Sequence, residues 1–153
     1  MFMQNTMTFQ SIIAAVRTFS EAFKIPFSTS PTTALSSEGV ALRHRLMEEE
    51  NNEYLEAAEA GDLVEVADAL GDQLYILCGT ILSHGMQDVI EDVFREIQAS
   101  NMSKLGGNGL PILREDGKVM KGPDYFRPDI SSILAKSGNT IRQDHQALGA
   151  EPS

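Results

Sequence analysis

The chain carries the sequence LMEEENNE at residues 46–53 and EVADALGD at residues 65–72. Positions three and four apart lie on one face of an α-helix, so each stretch would gather its carboxylates on one side. The two acidic rows are Glu49, Glu50 and Glu53 on one helix, and Glu65, Asp68 and Asp72 on the next. These paired helical segments decide the predicted fold.

Each acidic row continues into less polar residues along the same stripe of its helix. The second row leads on to Tyr75, Gly79 and Leu82, and the first leads back to Leu46 and Leu42. A solvated face, which is the commoner role of a glutamate run, usually stays polar along its length. We therefore predict that both rows face partly inward.

The rest of the chain predicts an all-α protein, a four- to five-helix bundle. Gly61 is placed to end the second helix and Asp62 to cap the third. We expect Phe19 and Phe23, at helical spacing in the first helix, to lie in the core. The predicted helices span about 8–23, 36–60, 62–84 and 87–100, with a short one at 130–136.

The segment after residue 104 has a different character. Asp116-Gly117, between residues 112–114 and 118–120, predicts a short C-terminal β-hairpin. We expect residues 1–136 to form one all-α domain and residues 137–153 to form a loose, flexible tail.

Composition favours a cytoplasmic protein that is not embedded in a membrane. The N-terminus has no basic signal region, and no apolar stretch approaches the roughly 20 residues of a membrane span. The single cysteine, Cys78, lies in an apolar run, where we expect a small buried residue in a reducing compartment.

Charge is distributed unevenly along the chain. The net charge of −10 argues against a nucleic acid polymer as partner, because phosphate backbones attract basic surfaces. Between residues 41 and 100, fourteen acidic residues accompany three basic ones. Chance segregation of charge would explain the pattern. A site in which carboxylates bind a cation and lysines bind the phosphates of its ligand would explain it equally well. Five basic residues follow: Lys104, Arg114, Lys118, Lys121 and Arg127.

Carboxylates gathered between two neighbouring helices would either stay partly protonated or hold cations among them. At about 4 Å and an effective dielectric near 20, each like-charged pair costs roughly 4 kcal/mol. Oxygen-only ligands select hard metals, so Mg²⁺ is expected, with Mn²⁺ able to substitute. The cluster contains no Glu-x-x-His pair, and the three histidines are scattered, which disfavours di-iron and zinc sites.

At these residues the chain resembles the MazG-like, all-α nucleoside triphosphate pyrophosphohydrolases, relatives of the dimeric dUTPases and of phosphoribosyl-ATP pyrophosphohydrolase. Residues 49–53 match the family's E-E-x-x-E element. Glu65-x-x-Asp68 has the spacing of the second acidic pair, and Asp72 ahead of Leu74-Tyr75 also looks like the family aspartate. The segments 100–104 and 115–126 are similar to the family's closing region.

The resemblance implies hydrolysis of a nucleoside triphosphate at the α–β phosphoanhydride, giving monophosphate and pyrophosphate, in a house-cleaning or dUTP/dCTP-type enzyme. It implies a homodimer or dimer of dimers. The metal ligands would be Glu50, Glu53, Asp68 and Asp72, with Glu65 in reserve. Glu49, Glu50 and Glu53 are the catalytic candidates, and Glu49 could ligate metal or act as general base.

Candidate substrate-binding residues follow the acidic block. Asn101 and Lys104 could bind phosphates, as could Lys118 and Lys121, and Tyr125 could stack on a base.

Other functions compete with this hypothesis. A non-catalytic acidic helical module that binds a partner would also explain the rows. A kinase or other α/β phosphohydrolase is disfavoured, because the chain has no G-x-x-x-x-G-K-[ST] loop. An EF-hand is disfavoured too, since residues 115–117 lack alternating oxygen ligands. The identity of the base stays open.

Overall fold

A computed structural model describes residues 6–138, which contain five helices and no sheet. Four of the helices are α1 (Phe9–Ala22), α2 (Ser37–Ala60), α3 (Leu63–Ser83) and α4 (Ile90–Met102), and α5 spans residues 130–138. The chain divides into two compact units, Met1–Gln87 and Asp88–Ser153. The predicted all-helical class and helix positions are confirmed, with differences of one to three residues at the ends.

The α2–α3 hairpin is the element that positions the site. Ser36 begins α2 by accepting a hydrogen bond from the backbone N–H of Gly39 over 3.0 Å. Gly61 ends α2 at a φ of 69°, where a residue with a Cβ is disfavoured. Asp62 then caps α3 by accepting from the N–H groups of Val64 and Glu65. Only two residues therefore separate the helices, which must run antiparallel as neighbours.

The core of the first unit lies where α3 packs between its neighbours. Helix α3 contacts both α2 and α1. Its buried residues include Ala69, Cys78 and Leu82, and α1 contributes Ile13 and Val16. Cys78 is fully buried and is a free thiol, which confirms its predicted role as a small core residue.

The expectation for the aromatic residues of α1 is wrong. Phe19 is 38% exposed and Phe23 is 67% exposed. Their rings contact each other at 4.4 Å, on the rim of the first unit rather than inside it. Helical spacing placed Phe19 on the stripe that meets α3, but its contact there is Tyr75, which is itself 38% exposed, so the rings are left open to solvent.

The second unit is tied together by polar contacts at the end of α4. Ser100 Oγ donates to the carbonyl oxygen of Phe126 over 2.8 Å, and the Phe126 N–H donates to Ser103 Oγ over 3.2 Å. Asp129 begins α5 by accepting from the N–H of Ser132. These bonds hold the long connection between α4 and α5 against the end of α4.

The predicted β-hairpin is wrong. A turn does form at the expected place, with Gly117 at a φ of 82°. However, the pairing between its two arms is one antiparallel bridge, from Leu113 to Val119, and no strand is present within residues 6–138. The arms are short and both bridge residues are exposed, so no apolar face stabilises longer strands.

The predicted boundaries of the domain at residues 1–136 and of the tail at residues 137–153 stay predictions. Residues 139–153 lie outside the described residues, while 137 and 138 belong to α5. In the part of the chain that the structure describes, no helix has the length and apolarity to cross a bilayer.

Candidate active site

The two acidic rows meet in the α2–α3 hairpin. Gln73 Nε2 on α3 donates to the backbone carbonyl oxygen of Glu50 on α2 over 3.3 Å, so these two positions lie at the same level. Asp72 precedes Gln73, and Asp68 lies one turn earlier on the same face of α3. The hairpin register therefore places both aspartates alongside Glu50.

Glu50 is the carboxylate whose pKa the neighbouring carboxylates perturb. Burial is the main cause that raises its pKa, and the negative charges of four neighbours raise it further. Those neighbours are Glu53, Asp72, Glu49 and Asp68. The structure thus brings five of the six predicted acidic residues together. The sixth, Glu65, is exposed in the first turn of α3 and is not among the groups that raise the pKa of Glu50.

Only one of these residues faces inward, so the prediction that both rows face partly inward is wrong for the row on α3. Glu50 is half-buried, whereas Glu49, Glu53, Asp68 and Asp72 are exposed. The Glu50 Oε2 atom is inaccessible and has no hydrogen-bond partner within residues 6–138. A buried carboxylate oxygen without a partner is costly, so this atom points to a ligand that the described residues do not supply.

The donor set fits a hard divalent cation in its chemistry but is not preassembled. Every candidate ligand is a carboxylate oxygen, which suits Mg²⁺. Yet no three His, Cys, Asp or Glu side chains among residues 6–138 converge into a metal-binding group. The carboxylates are close enough to perturb Glu50 but spread apart, as repulsion between like charges requires.

A guanidinium that the sequence analysis did not single out lies on the same stripe of α2. Arg43 is half-buried, and it donates to Thr80 Oγ1 over 3.0 Å and to the carbonyl oxygen of Ile76 over 2.7 Å. Its spacing of seven residues from Glu50, two helical turns, is the signal that could have found it.

An aromatic cluster borders the acidic face of α3. Tyr75 follows Asp72 by three residues, and its ring meets that of Phe19 edge to face at 5.6 Å. Both side chains are more than one third exposed. Tyr75 continues the stripe of the acidic row in the sequence, and that pattern predicts no role for it.

The candidate substrate-binding residues all lie in the second unit, where four of them form two local pairs. Lys104 Nζ donates to Asn101 Oδ1 over 2.8 Å, one turn apart at the end of α4. The ammonium group of Lys121 lies 4.3 Å from the centre of the Tyr125 ring, a cation–π contact. Lys118 is exposed after the turn, and its backbone N–H donates to Asp116. Their roles stay predictions.

Comparison with known proteins supplies the class to which this helical, carboxylate-bearing chain belongs. A family model described as phosphoribosyl-ATP pyrophosphohydrolase matches residues 16–101, a span that includes both acidic rows. The chain is a hydrolase of the pyrophosphohydrolase class. It belongs to the phosphoribosyl-ATP pyrophosphohydrolase family.

A solved structure is also similar to this chain. A crystal structure of a proposed NTP pyrophosphohydrolase from Exiguobacterium sp. 255-15 is similar over 87% of this chain and 97% of its own length. The identity is 24% and the TM-score is 0.46. No curated protein gives a significant match to the chain.

Proposed function

We propose that this chain is a Mg²⁺-dependent nucleoside triphosphate pyrophosphohydrolase that cleaves the α–β phosphoanhydride, releasing a nucleoside monophosphate and pyrophosphate. The observation that carries the proposal is Glu50, a carboxylate with one buried, unbonded oxygen and a pKa raised by burial and by four neighbouring carboxylates. A carboxylate cluster of this kind gains stability when cations bind it. Family membership favours an enzyme over a non-catalytic binding module.

Each acidic residue has a proposed role. Glu50, Glu53, Asp68 and Asp72 would hold Mg²⁺, and Glu65 is the remaining candidate ligand. Bound there, Mg²⁺ or Mn²⁺ would neutralise charge on the phosphate oxygens. Glu49, exposed at the edge of the cluster, would orient the attacking water and accept its proton as general base.

The candidate substrate-binding residues keep the roles predicted for them. Asn101 and Lys104 form a hydrogen-bonded pair at the end of α4, and both have polar hydrogens to donate to phosphate oxygens. Lys118 and Lys121 would also donate to phosphate oxygens, and they are the weaker candidates. Tyr125, already in contact with the ammonium group of Lys121, would stack on the base.

A second copy of the chain is the proposed partner. Helices α2 and α3 expose apolar residues, among them Val40, Met47, Leu70 and Leu77. A groove of about 480 Å³ is lined by Met47 and Leu77 together with the polar residues His44, Glu48, Asn51 and Gln73. Exposed apolar side chains are typical of an interface, so a homodimer or dimer of dimers would bury them. We also propose that the protein is cytoplasmic.

The test is a panel of nucleoside triphosphates incubated with the full chain and Mg²⁺. We expect release of pyrophosphate and nucleoside monophosphate, with no orthophosphate, and loss of both products in EDTA. Orthophosphate as the first product would place the cleavage at the β–γ bond and contradict the proposal. The absence of any product across the panel would favour the non-catalytic module.

A further inference from the structure

Gly122 lies against the backbone that follows α4, at a distance that only glycine permits. A Cβ at residue 122 would lie 2.0 Å from the carbonyl oxygen of Leu105 and 2.8 Å from that of Lys104. Side chains do not pack this closely against a backbone, which cannot swing aside as the end of a flexible side chain can. The chain therefore brings residues 121–122 directly beside residues 104–105, across the whole turn that separates them.

Polar bonds to the end of α4 hold this contact in place. The N–H of Tyr125 donates to the carbonyl oxygen of Gly122 over 3.3 Å, which turns the chain back toward α4. Phe126 then accepts a hydrogen bond from Ser100 through its carbonyl oxygen and donates its N–H to Ser103. Ser100 is buried, so the first of these bonds is shielded from water. The connection is thus fixed to the end of α4 at two places.

The contact sets two lysines next to each other. Lys104 directly precedes Leu105, and Lys121 directly precedes Gly122, so the backbones that touch are those of the lysines and their immediate neighbours. Lys104 is half-buried and Lys121 is exposed. Two positive charges that are distant in the sequence therefore share one small region of the second unit.

Both ammonium groups are held by neutral partners. Lys104 donates to the amide oxygen of Asn101, and Lys121 lies over the ring of Tyr125. Neither lysine forms an ion pair within residues 6–138, unlike the arginines at positions 17, 95 and 114. Neutral partners orient an ammonium group without cancelling its charge, and neighbouring like charges repel unless an anion lies between them. The pair is therefore suited to an anion that carries more than one charge.

We propose that Gly122 is a positioning residue of a phosphate site, because its close approach to Leu105 places Lys121 and Lys104 on the same diphosphate group. This group is the part of the substrate that leaves as pyrophosphate, and its identity rests on the proposed function. Each ammonium group has three N–H donors, and a diphosphate offers several charged oxygens, so two lysines can bind it together.

The test measures binding of inorganic pyrophosphate to the full chain by calorimetry in EDTA, where no metal assists. We expect K104Q and K121Q each to weaken binding about tenfold or more, the scale of one hydrogen bond between charged groups. K121R keeps the charge and should retain most of the affinity. G122A keeps both lysines, yet it should weaken binding to a similar extent, because its methyl group forces residue 121 away from residue 104.

Two further variants separate positioning from a general loss of structure. G107A lies in the same connection, where an added Cβ meets nothing within 4 Å, and it should bind pyrophosphate like the wild type. The double variant G122A/K121Q should bind about as weakly as K121Q alone. The two losses should not add, because the effect of G122A is exerted through Lys121.

Several results would overturn the proposal. A wild type that does not bind pyrophosphate at millimolar concentration has no such site. Unchanged affinity in K104Q or in K121Q would show that the two lysines do not share a ligand, and this result does not depend on the folding of G122A. Additive losses in G122A/K121Q would make Gly122 a purely structural residue. Gly122-dependent binding by a chain that releases no pyrophosphate from any nucleoside triphosphate would support the positioning role and contradict only the proposed function.

Discussion

Gln73 on α3 donates its side-chain amide to the backbone carbonyl oxygen of Glu50 on α2 over 3.3 Å. The bond bridges the two helices at the level of the acidic cluster, and it uses a backbone acceptor, so the Glu50 carboxylate is left for other partners. Asp72, the neighbour of Gln73, is thereby kept beside Glu50, whose pKa it helps to raise. Four predictions depend on this arrangement and on the exposed faces of α2 and α3.

Replacing Glu53 with glutamine should abolish most pyrophosphate release. The change removes one charge and one metal-binding oxygen from a residue that already acts on Glu50. A loss of about 100-fold or more in kcat is expected, the scale of removing one group that stabilises transition-state charge. Glu59→Gln, the same change at an exposed position near the end of α2, is the control. Near-normal turnover of Glu53→Gln, with an unchanged circular dichroism spectrum, would remove this residue from the site.

The pH dependence of stability should carry the signature of Glu50. Because its pKa is raised from 4.5 in the folded chain, the folded state binds the proton more tightly than the unfolded state. In EDTA, the free energy of unfolding should therefore fall as pH rises from about 4.5 through the raised pKa. Glu50→Gln cannot ionise and should lack this fall, which denaturant titrations at several pH values would reveal. Identical pH profiles for the variant and wild type would contradict the environment described for Glu50.

Magnesium should stabilise the folded chain. At a concentration one hundred times its dissociation constant, a ligand that binds only the folded state contributes about 2.7 kcal/mol. For a chain of this size that corresponds to a rise of about 5–10 °C in melting temperature. Asp72→Asn should lose most of the rise. If Mg²⁺ leaves the melting temperature of the wild type unchanged, the cation does not bind the cluster.

The exposed apolar residues of the α2–α3 hairpin should hold two copies of the chain together. Leu77 is 43% exposed and lines the groove beside Met47, so Leu77→Glu would bury a charge in the proposed interface. Light scattering should give twice the 16.7 kDa chain mass for the wild type and the single mass for the variant. Ala41→Glu, on the outer surface of α2, should stay dimeric. A wild type that is monomeric at micromolar concentrations would exclude this interface.

The sequence was sufficient to predict what local chemistry determines. Gly61 and Asp62 are strong helix-end and helix-start signals, and the hairpin between α2 and α3 follows from them. The spacing of Glu50 and Glu53, and of Asp68 and Asp72, then predicted that these carboxylates would gather.

Features that depend on tertiary contacts could not be predicted in this way. The turn at Gly117 was visible, but whether strands extend from it depends on an apolar face to pack against, which residues 112–120 lack. The exposure of Phe19 depends on its neighbour Tyr75, which is itself 38% exposed. Arg43 looked like an ordinary surface charge, because its burial depends on the glycine that faces it from another helix.

The two-residue link between α2 and α3 has a consequence for variation among related chains. One extra residue at Gly61-Asp62 would turn the whole of α3 by roughly 100° relative to α2, since a helix has 3.6 residues per turn. Such an insertion would carry Asp68 and Asp72 away from Glu50 although every side chain was retained. Insertions and deletions should therefore be absent from this link and accumulate in longer connections, such as residues 23–36.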